Sequence, residues 1–315
     1  MSKNESNEED NPYHYFAYQM YSITIFGLGF FGNIMGIVVL LKRKLIKLGA
    51  RNTYRYLFIT DTIYLIQMFT DSFAFNMGYD VTALSVLSCR VFFHINNSLA
   101  TLSPMLLVYI SLERLISIKY PHKRFILRKP NYQFLYLVLV FAFNLCYYSP
   151  FLFYFNFVIS KMDPKTNISE CNFADLKSIK TFSYMDLTNR VVTPCVLIML
   201  TSILLILTIF KTRTRVFRHF MIDNRSYKKD VKFTITSICV NLFYIVLTAP
   251  LPIYNIFSDY FSNFAFSFTF YLFCLTYSMN FYLFILFNSL FRKEFVNLIY
   301  GNNRRRRQIK IINQR

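Results

Sequence analysis

Two charged positions lie inside long apolar runs of this 315-residue chain. Asp61 occurs in YLFITDTIYL, and Arg114 follows Glu113 between the apolar residues Leu112 and Leu115. A charge in a low-dielectric environment is costly unless a counter-charge, a hydrogen bond or a bound ion compensates it. Asp61 is therefore a candidate functional carboxylate, with hydrogen bonding for packing alone as the alternative. Arg114 is a candidate charge switch that Glu113 partly compensates.

The motifs of common catalytic centres are missing from the sequence. The zinc-binding HExxH motif, the nucleophile motif GxSxG and the glycine-rich phosphate-loop motif GxxxxGK[ST] are all absent. No two histidines have the spacing of a metal-ligand pair; they are His14, His94, His122 and His219. We therefore expect that the protein is not an enzyme and has no resident organic cofactor.

Long apolar segments position the buried charges. Hydrophobic residues make up 55% of the chain and charged residues 16%, which excludes an ordinary soluble domain and indicates several membrane spans. Residues 1–16 are polar and acidic, so we expect the first apolar run to act as the insertion signal. Apolar runs of about 18 residues or more predict seven helices. Their ranges are 17–41, 54–77, 87–118, 131–157, 186–210, 231–258 and 264–290.

Basic residues are distributed unequally between the two ends of these helices. Most of the 35 lysines and arginines fall within or beside 42–55, 119–130, 211–232 and 291–315. By the positive-inside rule, these segments are cytoplasmic and the N-terminus is extracellular. The net charge of +19 could also indicate nucleic-acid binding, but the basic segments adjoin helix ends, where anionic inner-leaflet lipid attracts them. We therefore expect lipid, and no nucleic acid, as their partner.

The segment SLERLISI, from Ser111 to Ile118 and followed by Tyr120-Pro121, resembles a known family motif. It is similar to the acidic-Arg-aromatic motif that ends the third helix of rhodopsin-like (class A) G-protein-coupled receptors. Leu115 replaces the usual aromatic residue.

Further residues match the same family at the expected helices. They are Gly32-Asn33 in the first helix, Asp61 in the second, Pro194 in the fifth, Pro250 in the sixth, and Phe291-Arg292-Lys293-Glu294-Phe295 in an amphipathic eighth helix. The family's Asn-Pro-x-x-Tyr motif becomes Asn280-Phe281-Tyr282-Leu283-Phe284, a variant that resembles invertebrate peptide-receptor-like members. We expect Asn33 to face the bundle and to bond to a neighbouring helix.

The resemblance implies an all-α membrane protein, a seven-transmembrane helix bundle with a short amphipathic eighth helix. Residues 1–16 would be an extracellular N-terminus, 17–290 the receptor domain, and 291–315 the amphipathic helix and basic cytoplasmic tail. The implied function is a multi-pass plasma-membrane receptor that transduces an extracellular ligand to a heterotrimeric G protein. The alternative is a small polytopic transporter or channel with Asp61 as its midplane ion site.

The resemblance also assigns a coupling role to five residues. Glu113 and Arg114 would form the inner switch, and Asp230 would pair with Arg114 in the resting state. A loop charge among lysines is the alternative for Asp230. Asn280 and Phe284 would belong to the same coupling machinery.

A sodium ion is the one inorganic ligand that the resemblance implies. Ser103 occupies the position that helps Asp61 to hold an allosteric sodium ion, and Asn280 is the third candidate ligand. Carboxylate, hydroxyl and amide oxygens are hard ligands that suit sodium.

Outside the membrane, the resemblance and the oxidising compartment favour a disulfide between Cys89 and Cys171. The other four cysteines fall inside apolar runs, where free thiols behave as small hydrophobic groups. Asn4 and Asn167 stand in Asn-x-Ser triplets on the outer side and are candidate glycosylation sites.

The outer side carries more acidic than basic residues, counting Asp186 as an acid and Arg190 as a base of this surface. With an aromatic wall on helices six and seven, this balance favours a cationic ligand with apolar side chains, such as a short amidated neuropeptide that bears Arg and Phe. Ordinary solvated loop charges are the alternative. Asn96 stands where amine receptors of the family carry an aspartate, which argues against biogenic amines. The candidate ligand contacts are Asp71, Asn96, Asn97, Thr248 and Asn255.

Overall fold

Seven spans in sequence order build the protein. The computed structural model describes residues 12–42, 45, 51–76, 82, 84–120, 129–159, 169–173, 176–219, 224–256 and 263–312, with the backbone alone at several helix ends. The first span is Pro12–Leu40, the second Arg51–Asn76, the fourth Pro130–Tyr147 and the seventh Asn263–Phe287. The third comprises Val86–Ala100 and Leu102–Lys119, the fifth Leu176–Leu187, a π turn Thr188–Val192 and Thr193–His219, and the sixth Asn224–Thr248 and Pro250–Ile256. A final helix, Ser289–Ile312, follows the seventh span.

Length and hydropathy single out some of these spans more strongly than others. Among the described residues, four segments are long and apolar enough to cross a membrane, with Lys232–Thr248 as a shorter apolar helix. The four segments are Ile23–Leu40, Val86–Lys119, Thr181–Phe210 and Ser267–Phe287. The second span places Asp61 and Asp71 among its apolar residues. Polar residues that face the bundle reduce the apolar signal of such a helix.

The segment after the fourth span differs from its predicted form. The expected helix to residue 157 is wrong, because the regular helix ends at Tyr147 and a short helix, Phe151–Tyr154, follows a turn. Pro150 lies in that turn, and proline lacks the N–H needed to continue the helical ladder. The chain then forms strand β1 (Phe155–Ile159), which pairs antiparallel with strand β2 (Ser169–Phe173).

A tyrosine compensates for a proline inside the third span. Pro104 has no N–H to bond with the carbonyl of Ala100 one turn earlier, and the helix is interrupted at Thr101. The hydroxyl of Tyr277, on the seventh span, donates to that carbonyl at 2.7 Å. A buried carbonyl without a donor is costly inside a membrane protein. The hydroxyl of Tyr277 supplies that donor, and the bond therefore joins the third and seventh spans.

Pro194 produces the same situation in the fifth span. It leaves the carbonyl of Arg190 without its helical donor, and the hydroxyl of Tyr244 on the sixth span donates to it at 3.1 Å. The preceding turn widens into a π turn, in which Thr193 N–H bonds to Thr188 O five residues earlier.

The first span packs closely against the second and seventh spans. A Cβ atom added at Gly36 would lie 2.6 Å from the ring of Phe58, so glycine is needed for the two backbones to approach. Asn33 is fully buried and donates to the carbonyl of Tyr277 at 3.1 Å, which confirms the expected bond to a neighbouring helix. Gly27, by contrast, faces open space.

Asn288 separates the seventh span from the final helix and caps the N-terminus of the final helix. Its Oδ1 accepts from the N–H groups of Leu290 and Phe291, both at 3.1 Å. The ring of Phe291 is buried and lies 6.0 Å from that of Phe281 in the seventh span. The start of the final helix is therefore fixed to the bundle by both hydrogen bonds and ring packing.

Candidate functional site

At the inner end of the third span, Arg114 is buried between two aromatic rings. Only 1% of the residue is exposed. Its guanidinium carbon lies 5.4 Å from the ring centre of Phe233 and 6.0 Å from that of Tyr54. Its Nε and Nη2 atoms have no hydrogen-bond partner among the described residues. Ring faces therefore stabilise this cation while part of its donor capacity stays unused.

Glu113 is buried next to Arg114 but interacts with the fourth span. Nε2 of Gln133 donates to Oε2 of Glu113 at 3.3 Å. This bond ties one member of the predicted switch pair to the fourth span. The side chain of Asp230, the predicted partner of Arg114, lies outside the described side chains, although its backbone belongs to the sixth span.

Phe284 connects the inner site to the end of the seventh span. It is fully buried, with its ring centre 4.6 Å from that of Tyr54 in an edge-to-face contact and 5.4 Å from that of Phe291. A tyrosine hydroxyl at this position would need a polar partner among these rings. The phenylalanine therefore fits an aromatic cluster that reaches Arg114 through Tyr54.

Asp61 occupies the middle of the bundle and is fully buried. Nδ2 of Asn280, on the seventh span, donates to its Oδ2 at 2.7 Å. Its second oxygen, Oδ1, has no hydrogen-bond partner among the described residues. Ser103, on the third span, lies next to the same carboxylate and lines the same cleft as Asn280. The structure thus brings the three predicted sodium ligands to one place.

A narrow cleft adjoins this polar site. Ser103 and Asn280 line it together with Tyr244, Thr276 and Leu107, among others. The unpaired oxygen of a buried carboxylate beside hydroxyl and amide groups fits a small hard cation. Among the described residues no three His, Cys, Asp or Glu side chains cluster, so a transition-metal site finds no ligands there.

Toward the end of the bundle that carries β1 and β2, Arg190 forms a second buried cationic centre. Its Nη2 pairs with Oδ1 of Asp186, one turn earlier in the same span, at 2.8 Å. The same nitrogen donates to Oδ1 of Asn97 on the third span. Its guanidinium carbon lies 5.4 Å from the ring centre of Phe273 on the seventh span. With the bond from Tyr244 to its carbonyl, Arg190 contacts three other spans.

Hydrogen bonds from the fourth span and the turn that follows it surround the Asp186–Arg190 pair. The hydroxyl of Tyr148 donates to Oδ1 of Asp186 at 3.2 Å, while the carbonyl of Tyr148 lies 3.0 Å from Nδ1 of His94. Asn189 Nδ2 donates to Oδ1 of Asn144 at 2.8 Å. The third, fourth and fifth spans are therefore joined by a continuous set of buried hydrogen bonds.

The arrangement of seven spans with these polar centres agrees with the comparison to known proteins. A family model described as 7 transmembrane receptor (rhodopsin family) matches residues 32–283, which is most of the chain. The chain belongs to this family. No curated protein sequence matches it significantly. Membership makes the protein a multi-pass plasma-membrane receptor rather than an enzyme, with an extracellular ligand and a G protein as the kinds of partner that the family implies.

The predicted ligand contacts of this rhodopsin-family receptor fall in different environments. Asn97 is buried and bonded to Arg190, and Asn96 has a buried Oδ1 without a hydrogen-bond partner among the described residues. Thr248 is buried and donates to the carbonyl of Tyr244 in its own helix. Asp71 is half-buried on the second span. The side chain of Asn255 lies outside the described residues.

Cys89 is buried and disulfide-bonded at the start of the third span. The cysteines that the structure describes as free are Cys146, Cys195, Cys239 and Cys274. Cys171 lies in β2, opposite Phe157 of β1, with its side chain outside the described part. Asn4 and Asn167 both lie outside the described residues.

Arg190 and Asp186 are the residues of this receptor whose place the sequence reading missed. The sequence predicts surface charges of the outer side at both positions, whereas Arg190 is only 7% exposed. A signal was present, because the two opposite charges are four residues apart at the start of an apolar run, so they share one helix face. The π turn and the tyrosine on the sixth span have no comparable sequence signal.

Proposed function

We propose that this receptor transduces an extracellular peptide signal to a heterotrimeric G protein. The observation that carries the proposal is the buried Arg114 at the inner end of the third span. Its guanidinium lies between two aromatic rings, and its Nε and Nη2 have no hydrogen-bond partner among the described residues. A guanidinium in this state can exchange ring contacts for acceptors on a partner once the helices separate. The bundle thereby couples a change at one end to binding at the other.

The proposed orientation has the N-terminus outside and the basic tail inside. Residues 1–16 form the extracellular N-terminus, 17–290 the receptor domain, and 291–315 the final helix with the cytoplasmic tail. The distribution of lysine and arginine supports this orientation. The tail then faces the anionic inner leaflet, which attracts its run from Arg304 to Arg307.

On the outer side, we assign Cys171 as the disulfide partner of Cys89. The chain has six cysteines, four of them free in the structure, and Cys89 is bonded. The bridge would attach the β1–β2 hairpin to the start of the third span. Asn4 and Asn167 are the proposed glycosylation sites of the same face.

At the inner end, we propose that Asp230 pairs with Arg114 in the resting receptor. Asp230 precedes Phe233 by three residues in one continuous helix, so both belong to the same helix face. Phe233 packs on Arg114, so this face of the sixth span is the one that meets the inner end of the third span. Asn280 and Phe284 transmit the state of the seventh span to this pair.

An allosteric sodium ion is proposed at Asp61, Ser103 and Asn280. The unpaired Oδ1 of Asp61 and the adjoining cleft support this assignment. Such an ion would compensate a buried carboxylate and hold three spans in one arrangement. The midplane carboxylate is also what a transporter would need, which makes ion flux the natural test between the two functions.

The ligand is proposed to be a neuropeptide that enters from the outer end. Asp71, Asn96, Asn97, Thr248 and Asn255 are the proposed contacts. Asn97 lies beside Arg190, to which its Oδ1 is bonded. Asn96 gains support from a buried Oδ1 that has no hydrogen-bond partner among the described residues. A peptide supplies the amide donors and acceptors that such side chains match.

Nucleotide exchange tests the proposed function directly. The full-length receptor in nanodiscs is mixed with a panel of heterotrimeric G proteins and a neuropeptide library, and guanine-nucleotide exchange is measured. We expect peptide-dependent exchange that Arg114→Gln reduces at least tenfold, with Lys293→Gln as an exposed control on the final helix. Ion flux in proteoliposomes without any exchange on the whole panel would favour the transporter instead.

A further inference from the structure

Arg190 is a charged residue in the part of the fifth span that is not a regular α-helix. It lies within the π turn, and its own carbonyl depends on Tyr244 for a donor. Single π turns inside α-helices are uncommon and occur frequently at functional sites. A guanidinium at this position also contacts the third and seventh spans through Asn97 and Phe273. Any ligand group that engages it acts on four spans at once.

The donors of Arg190 are only partly used. Nη2 serves both Asp186 and Asn97, whereas Nε is buried and has no hydrogen-bond partner among the described residues. Buried polar groups are normally satisfied, so an unused donor on a buried cation points to an acceptor that binds there. Guanidinium groups favour carboxylates because two parallel N–H donors match two oxygens.

The exposure of the two charged partners is unequal. The Arg190 side chain is 8% exposed, whereas that of Asp186 is 26% exposed and accepts a second bond from Tyr148. A ligand cation that took Asp186 would leave a buried guanidinium unpaired, which is the costly outcome. A ligand anion that took Arg190 would release a carboxylate that can still be hydrated and hydrogen-bonded. The pair therefore accommodates an incoming anion more readily than an incoming cation.

Aromatic side chains surround this pair. Tyr148, Tyr244 and Phe273 contact its two members, and Tyr277 lies 5.5 Å from Phe273 between ring centres. All four are buried. An apolar or aromatic group next to the anion would find matching surfaces among these rings.

We propose that Arg190 is the anchor for a carboxylate of the ligand, borne next to an aromatic or apolar side chain, as at a free peptide C-terminus. The inference rests on the proposed receptor function and specifies the chemistry of its ligand. Asp186 acts as the internal counter-ion that the carboxylate displaces. Because Asp186 competes with the ligand, its removal strengthens carboxylate binding.

The test uses N-acetyl-phenylalanine, a carboxylate, and its amide, a neutral analogue of the same shape. Each is titrated into purified full-length receptor, and thermal unfolding is followed with a thiol-reactive dye. Unfolding is read as the rise in labelling when the buried Cys195 and Cys274 become accessible, above the constant baseline of the exposed Cys146. The carboxylate is expected to raise Tm at a concentration at least tenfold below that of the amide, equivalent to about 1.4 kcal/mol. Equal responses to both probes would overturn the proposal without any variant.

Three variants distinguish a ligand anchor at Arg190 from an ion pair whose role is only structural. Arg190→Gln is expected to lose the preference for the carboxylate, and Asp186→Asn to strengthen it severalfold. Arg90→Gln, a half-buried arginine of the third span, is the control and should leave the preference unchanged. A structural pair would instead lower Tm in both variants without altering the preference between the probes. Retention of the carboxylate response in Arg190→Gln would contradict the anchor.

Phenylalanine amide, which carries a free amine, tests the opposite charge. Stronger stabilisation by this cation, lost in Asp186→Asn, would assign the ligand contact to the aspartate and overturn the proposal. The G-protein assay is read separately. Carboxylate binding without nucleotide exchange would contradict the receptor function and leave the anchor intact. Peptide-driven exchange with no preference for the carboxylate would support the receptor function and contradict the anchor.

Discussion

The guanidinium carbon of Arg114 lies 5.4 Å from the ring centre of Phe233, so a cation of the third span rests on an aromatic face of the sixth. Cation–π contacts are worth about 0.5–2 kcal/mol, depending on how far water is excluded. Tyr54 supplies a second face from the second span. The position of Arg114 in the structure is thus defined by rings on two spans.

Replacing Phe233 by leucine should raise basal signalling. The change removes the ring and keeps an apolar side chain, so the resting arrangement loses about 1 kcal/mol and the active population rises about fivefold. Basal nucleotide exchange at matched surface expression measures this rise. Phe243→Leu, on the same span but 42% exposed, is the control and should change nothing. Unchanged basal exchange in Phe233→Leu would show that the ring does not hold Arg114.

Asp230→Asn should also raise basal exchange, because the resting state loses its proposed charge partner for Arg114. Asp230→Glu keeps the charge on a longer side chain and should retain most of the restraint. The rise should be smaller when Phe233 is already leucine, since both side chains act on the same cation. Strictly additive effects would count against a shared site.

Cys89→Ala should abolish surface expression or ligand binding, and Cys171→Ala should do the same. Either change removes the tie between the β1–β2 hairpin and the third span, a loss of about 2–5 kcal/mol in domains that depend on such bridges. Cys146→Ala serves as control because this thiol is free and exposed. Normal binding by either single variant would refute the proposed pairing.

Asp61→Asn should remove the response of the receptor to sodium. Replacing potassium by sodium at constant ionic strength is expected to raise Tm of the wild type, because the ion compensates the buried carboxylate. The variant keeps the shape of the side chain and loses its charge. Ser103→Ala should weaken the response without removing it. A sodium effect that persists in Asp61→Asn would place the ion elsewhere.

Gly36→Ala should destabilise the receptor, whereas Gly27→Ala should not. A Cβ at Gly36 meets the ring of Phe58, and forced overpacking of this kind costs about 1–3 kcal/mol. Gly27 lies in the same helix and faces open space. The difference in Tm between the two variants therefore measures packing, with helix propensity held constant. Equal Tm values would mean that the first and second spans can separate without loss.

Much of the bundle was predictable because long apolar runs mark most membrane spans, four of them by length and hydropathy alone among the described residues. Asn33 and Asp61 also stood out, since an isolated polar residue in an apolar run must find a partner. Both have one in the structure, Tyr277 and Asn280 respectively. These signals lie within a single helix, so no knowledge of the packing was needed.

Other features depend on pairs that are remote in sequence. Arg190 looked like a surface base because hydropathy cannot show which side chains meet it from other spans. The fourth span ended earlier than expected because an apolar run continues past Pro150 into β1. In both cases the decisive factor is tertiary: a buried partner in one, a paired strand in the other.

The cap at Asn288 has a mechanical consequence. A flexible linker between two helices would let each turn independently, but here one side chain fixes the first N–H groups of the final helix directly at the end of the seventh span. Phe281 reinforces this elbow through its contacts with Phe291 and Phe295. Any rotation of the seventh span about its own axis is therefore transmitted to the final helix, which changes its direction relative to the rest of the bundle.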